Sequence, residues 1–190
     1  MQLSFSKPIT QIGSFVLLLW GIELINTLSG HSLNQFGINP NSALPLPGIL
    51  LAPLLHNGII HLALNTLPLA IMAWLISFSG TKRLLSVSLF IVLVSGLGVW
   101  WFGRPGYHVG ISGLIFGYLG YLIAHGLFTR HFGHLAISVI TFLSYGGLIF
   151  GILPQARHIS WEAHLMGLLA GVAVAWLFAK GKLGKELGRS

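Results

Sequence analysis

Long apolar runs, separated by short clusters of polar, glycine and proline residues, dominate the chain from end to end. A helix that crosses a bilayer needs about 20 predominantly apolar residues, and six stretches approach that length: 9–28, 59–78, 84–101, 112–128, 135–153 and 159–179. The segment Ser29 to Pro47, rich in Ser, Asn, Gly and Pro, reads as a loop. Gly103-Arg104-Pro105-Gly106, Thr129-Arg130-His131 and Pro154 punctuate the later runs. The first run is too long for a signal-peptide core and lacks a following A-x-A site, so it reads as a retained span. The pattern predicts an all-α membrane protein, a six-transmembrane-helix bundle forming one domain over 1–190 with no soluble domain.

Composition sharpens this picture. Of 190 residues, 54% are hydrophobic and only 7% charged, against roughly 25% charged in a soluble domain. The formal net charge is +7, but the basic residues sit at helix ends, which points to membrane lipids and away from nucleic acid. Lys7, Lys82, Arg83, Arg130, Lys180, Lys182, Lys185 and Arg189 fall on one side of a six-span topology, and only Arg104 and Arg157 on the other. The excess of basic residues on cytoplasmic loops then predicts that both termini are cytoplasmic. There is no cysteine, and the three acids are all glutamates, Glu23, Glu162 and Glu186. Disulfides, cysteine nucleophiles, aspartyl dyads and thiolate metal sites are thereby excluded.

Polar side chains at membrane depth are costly and mark candidate chemistry. His61 and Asn65 share a face early in the second span, Ser112 heads the fourth, and His164 lies early in the sixth. In the predicted topology these three spans all descend from the extracytoplasmic side, so the four residues share one depth. Gly113, Gly117 and Gly120 in the fourth span, and Ala163, Gly167 and Gly171 in the sixth, form stripes of small residues that let helices approach closely. Close packing there brings Ser112 within reach of His164. Singly, Ser112 reads as a helix cap, His164 as a buried polar contact and Asn65 as an interhelical hydrogen bond. Together they form a nucleophile and general base, with the Ser112 amide, the Asn65 side chain and the His61 ring as oxyanion donors. Glu23, alone in the first span, has no role in this reading. His108, His125, His131, His134 and His158 read as interfacial, and the tryptophans at helix ends as an aromatic belt.

The ordered set His56-x4-His61-Leu62-x2-Asn65, Gly110-x-Ser112-Gly113 and Ala163-His164-x2-Gly167-x3-Gly171 resembles the rhomboid intramembrane serine proteases, over roughly Leu50 to Leu177. The resemblance implies a Ser112–His164 dyad, an oxyanion hole at His61, Asn65 and the Ser112 amide, and no metal or cofactor. It implies cleavage of transmembrane protein substrates in or near their membrane-spanning segment; the minimal size points to a bacterial plasma (inner) membrane, and the predicted topology opens the site to the extracytoplasmic side. His56, Gly110, Gly113 and Phe116 are expected to line the site, and Gly117, Gly167 and Gly171 to pack helices. The chain departs from the family's pattern in lacking a Trp-Arg pair in the first loop. It also has Phe116, not tyrosine, four residues after the serine. A metalloprotease has no H-E-x-x-H motif to use here. A transport pathway would need polar residues throughout the bilayer, and these cluster on one side.

Overall fold

The computed structural model describes residues 6–40, 42–154 and 159–181. Arg157 and His158, with Lys182, Lys185, Glu186 and Arg189 near the end of the chain, lie outside the described residues. Among the described residues seven α-helices follow one another: α1 (Ser6–Leu28), α2 (Pro45–Leu51), α3 (Ile59–Ser77), α4 (Thr81–Phe102), α5 (Ser112–Thr129), α6 (Phe132–Tyr145) and α7 (Trp161–Lys180). Six helical segments among the described residues are long and apolar enough to cross a membrane: α1, α3, α4, α5, α6 with its extension to Ile152, and α7. The chain is thus an all-helical, multi-pass integral membrane protein. Its outward apolar surface, with Leu17, Leu28, Leu143 and Phe132 each at least 72% exposed, suits a hydrocarbon solvent.

Burial is distributed unevenly. The span of α5 is 78% buried, against 11% for α1 and 11% for residues 132–152. Helix α5 is therefore the axis around which the others pack, and the main apolar core gathers about it, with Leu62, Met72, Ile76, Val87, Ile91, Leu119 and Ala175 nearly inaccessible. The tightest contact joins α5 to α7. A Cβ at Gly167 would fall on the Gly113 carbonyl oxygen, and one at Gly171 on the Gly117 carbonyl oxygen. Only glycine allows these two backbones to touch, as the small-residue stripes predict.

Two stretches differ from the sequence expectation. Residues between α1 and α3 are not plain loop. A 3-10 turn (Ser32–Phe36) leads to α2, whose Ile49 is 1% exposed and meets α4 where Gly96 leaves room. Tertiary burial of one isoleucine imposes helix on a proline- and glycine-rich segment that local propensity marks as loop. The fifth span also changes character: α6 stops at Tyr145 and tightens into a 3-10 helix, Gly146–Ile152. Glycines at 146, 147 and 151 weaken α-helix there, and 3-10 stretches within a longer helix often mark functional hinges.

Candidate active site

Helices α3, α5 and α7 begin at the same end of the bundle, so their first turns converge. Ser112 is the first residue of α5 and His164 lies in the first turn of α7. His164 Nε2 stands 2.9 Å from Ser112 Oγ, and His164 Nδ1 stands 2.8 Å from the Gly151 carbonyl oxygen. A carbonyl only accepts, so in the neutral ring the proton sits on Nδ1 and Nε2 is left to accept the serine hydroxyl proton. That is the tautomer a general base requires. The Phe116 ring stacks on His164 with centroids 4.1 Å apart and planes 3° from parallel, which fixes the imidazole's tilt.

Gly151 is the orienting group that the residue types did not reveal. Its carbonyl occupies the position that a carboxylate takes in a three-membered triad. A Cβ at Gly151 would lie 2.7 Å from Phe116 Cζ and 3.4 Å from His164 Nδ1. The 3-10 winding of residues 146–152 and the absence of a side chain together bring this backbone oxygen to the ring. Glu162, the nearest acid in sequence, is engaged elsewhere: it pairs with Arg104 at 2.5 Å. Arg104 also donates from Nη2 to the Ile159 carbonyl at 2.8 Å. His108, read from sequence as interfacial, is buried, bonded through Nδ1 to Ser160 Oγ at 2.6 Å and through Nε2 to the Arg104 carbonyl at 2.8 Å. These contacts clamp the loop before Ser112 to the start of α7, just ahead of His164.

A cavity of about 710 Å³ opens over the pair, lined by His61, Asn65, Ser112, Phe116, Gly151 and His164 among others. Asn65 Nδ2 is buried and has no hydrogen-bond partner among the described residues. A buried amide donor without a partner is expensive, so its place in the wall of this cavity is consistent with a donor held ready for an oxygen that arrives with a ligand. Gly110, at φ +123°, leaves the space the imidazole of His61 fills: a Cβ there would be 3.0 Å from His61 Cε1. The Ser112 amide opens α5, where the first N–H groups of a helix have no intrahelical acceptor and the helix dipole is positive.

Two expected lining residues sit elsewhere. His56 is fully buried behind His61, edge-on to its ring at 5.2 Å, and its Nε2 accepts the Ile111 N–H at 3.4 Å. Burial and the neighbouring His61 lower the His56 pKa to about 3, so the ring stays neutral and can accept that bond. It supports the backbone just before Ser112 instead of facing the cavity. Gly113 faces α7, with the Ala163 carbonyl 3.2 Å from where its Cβ would stand, so it belongs with the packing glycines.

Glu23 also acquires a place. Fully buried, it accepts from the Gly58 N–H at 2.9 Å and from Thr27 Oγ1 at 3.2 Å. Asn26 Nδ2 donates to the His56 carbonyl at 3.0 Å, and Asn34 Nδ2 to Asn57 Oδ1 at 2.6 Å. This polar knot holds Gly58, at φ +111°, and the turn that leads into the helix bearing His61 and Asn65. An acid inside an apolar span is the one sequence signal that could have found it.

Residues 46–181 match the family model of the Rhomboid domain. The chain is 39% identical over 179 residues to uncharacterized proteins of Mycobacterium tuberculosis and Mycobacterium bovis, covering 90% of this chain and 75% of each relative. An uncharacterized protein of Mycobacterium leprae is 37% identical over 175 residues, 87% of this chain and 69% of that protein. A match over more than two thirds of the chain, on the same helices that carry the serine, the histidines and the asparagine, makes this protein a member of the rhomboid family of intramembrane serine proteases.

Proposed function

We propose that this chain is an intramembrane serine endopeptidase that cuts transmembrane proteins in or near their membrane-spanning segment, using Ser112 as nucleophile and His164 as general base. The observation that carries the reading is the chain of contacts Gly151 carbonyl to His164 to Ser112, at 2.8 and 2.9 Å, at a largely apolar cavity whose wall also holds His61 and Asn65. His164 takes the Ser112 proton as Oγ attacks the scissile carbonyl, and returns it to the leaving amine. The C–N bond breaks, an acyl-enzyme on Ser112 remains, and water releases it with His164 again as base. The Ser112 amide, Asn65 and His61 receive the negative oxygen of each tetrahedral intermediate. We place the site on the extracytoplasmic side of a bacterial plasma membrane, with the termini cytoplasmic, on the distribution of basic residues, and treat 1–190 as one domain.

The test is proteolysis in vesicles. The chain is reconstituted with a single-span protein whose helix carries small and helix-breaking residues near one end, and the products are weighed by mass spectrometry. The expected result is one cut near that end, absent in Ser112→Ala. An uncut substrate with folded protein, or a cut that persists in Ser112→Ala, would overturn the proposal.

A further inference from the structure

At the opposite end of the bundle, where α5 and α7 finish and α4 and α6 begin, stands a second polar cluster of opposite character. Arg83, in the first turn of α4, is only 9% exposed. Its guanidinium lies over the Phe178 ring at 3.9 Å and donates from Nη1 to the Tyr121 hydroxyl at 3.4 Å, while its buried Nε has no acceptor among the described residues. Beside it, buried His125 stacks on Tyr121 at 5.0 Å and meets His134 at 4.6 Å, and His134 meets His131 at 5.2 Å. Exposure rises along this series, from buried His125 through half-buried His134 to exposed His131, next to exposed Arg130.

No carboxylate balances this cluster among the described residues. The two described acids, Glu23 and Glu162, are held at the far end, by Gly58 and by Arg104. A buried guanidinium without a counter-charge is costly, and the N-terminal end of α4 carries the wrong dipole sign for a cation. The carboxyl-terminal ends of α5 and α7 offset part of that cost but offer Nε no acceptor. A metal ion does not fit, because an arginine repels it and the described residues contain no grouping of three His or Glu able to hold one. The complement of a fork of N–H donors with imidazoles beside it is a multi-oxygen anion. The exposed apolar side chains alongside, Leu127, Phe128 and Phe132, lie at a helix end, the depth at which lipid headgroups meet acyl chains.

We propose that Arg83, His134 and His131 form a binding site for a phosphate group, presented by the headgroup of an anionic phospholipid in the leaflet opposite the Ser112 cavity. Basic pockets between spans at that depth are a recurrent way of holding such headgroups. The site is independent of the proteolytic reading, since it shares no residue with the cavity.

The full chain, purified in dodecyl maltoside and stripped of lipid, is titrated with phosphatidylglycerol and with phosphatidylcholine and observed by native mass spectrometry. Inorganic phosphate is added in a separate arm. Phosphatidylglycerol is expected to bind at least about tenfold more tightly than phosphatidylcholine, inorganic phosphate to compete with it, and Arg83→Gln to weaken it by about tenfold, the loss of one charge-assisted hydrogen bond. His131→Gln, at an exposed position that leaves folding intact, is expected to weaken it by a smaller factor. Binding of inorganic phosphate with no lipid preference, lost in both variants, would keep the phosphate site and assign it to free phosphate. Equal binding of the two lipids that neither variant changes, or no binding of any of the three, would overturn the proposal.

Discussion

The two flanks of α5 are built on different principles. Toward α7, contact is backbone on backbone: Gly113 and Gly117 carbonyls lie against Gly167 and Gly171 with no room for a side chain between them. Toward α3 and α6, the site is completed by groups on elements open to the surroundings, one of them a span only 11% buried, against 78% for α5 itself. Ser112 and His164 come from the close-packed flank. Asn65, His61 and the Gly151 carbonyl come from the looser flank. In the proposed reaction, this division keeps Ser112 and His164 together on the glycine seam, and a polypeptide enters beside the 132–152 span, which is far less buried than α3 with its core residues Leu62, Met72 and Ile76.

The sharpest way to break the comparison is to add atoms to each kind of surface. Gly171→Leu places a side chain on the Gly117 carbonyl and is expected to cost more than the ~1–3 kcal/mol of ordinary overpacking, with loss of the folded bundle in a thermal unfolding scan. Gly21→Ala, in α1 where nothing stands within 4 Å of the added atom, is expected to be neutral or stabilising by up to about 1 kcal/mol. Equal losses in the two variants would deny the seam its special role.

The next effect belongs to the loose flank. Asn65→Ala is expected to lower kcat by roughly 10²–10³-fold, the usual result of removing one oxyanion donor, while the unfolding midpoint stays near that of the unchanged protein. The partnerless Nδ2 of Asn65 is why stability is spared. A large fall in stability with intact kcat would make Asn65 a structural hydrogen bond.

The support behind the site predicts an acid response. His56 has an ordinary pKa near 6.5 when unfolded and about 3 in the fold. The unfolded chain therefore takes up the proton first, and stability falls as pH drops from about 6.5 toward 3. The slope reaches at most about 1.4 kcal/mol per pH unit. Unfolding midpoints measured across that range are expected to flatten in His56→Gln. An unchanged slope would remove His56 as the responsible group. The smallest expected effect is at Glu23. Replacing it by Gln leaves the Gly58 N–H an acceptor but turns the oxygen that accepts from Asn26 Nδ2 into a donor, a loss of about 1–2 kcal/mol. Because Glu23 acts through the turn into α3, turnover is expected to fall in parallel with no change in the pH profile, and Glu23→Asp to recover part of it.

The sequence was legible where the bilayer made chemistry conspicuous. In apolar runs every polar residue is an anomaly, so Ser112, His164, Asn65 and His61 stand out by type and depth, and the glycine stripes foretell the α5–α7 seam. Legibility failed where a backbone atom or a distant contact decides. The Gly151 carbonyl has no signature, because any residue owns a carbonyl and only the 3-10 turn aims this one. His56 reads from sequence either as a cap of the second span or as a wall of the cavity, yet the Ile111 N–H draws it behind His61. Arg83 and His125 looked like ordinary basic residues at helix ends, and only the packing of Phe178 and Tyr121 buries them. The loop read from Ser29 to Pro47 runs into α2, because that helix depends on Ile49 meeting α4.

The central claim is that Ser112 is activated by His164. It is tested most directly by labelling the detergent-purified chain with a fluorophosphonate probe, alongside Ser112→Ala, His164→Ala and a rhomboid protease of known activity. The account predicts labelling of the unchanged chain and none of either variant. A folded chain that stays unlabelled while the known protease reacts, or one that still labels in His164→Ala, would contradict it.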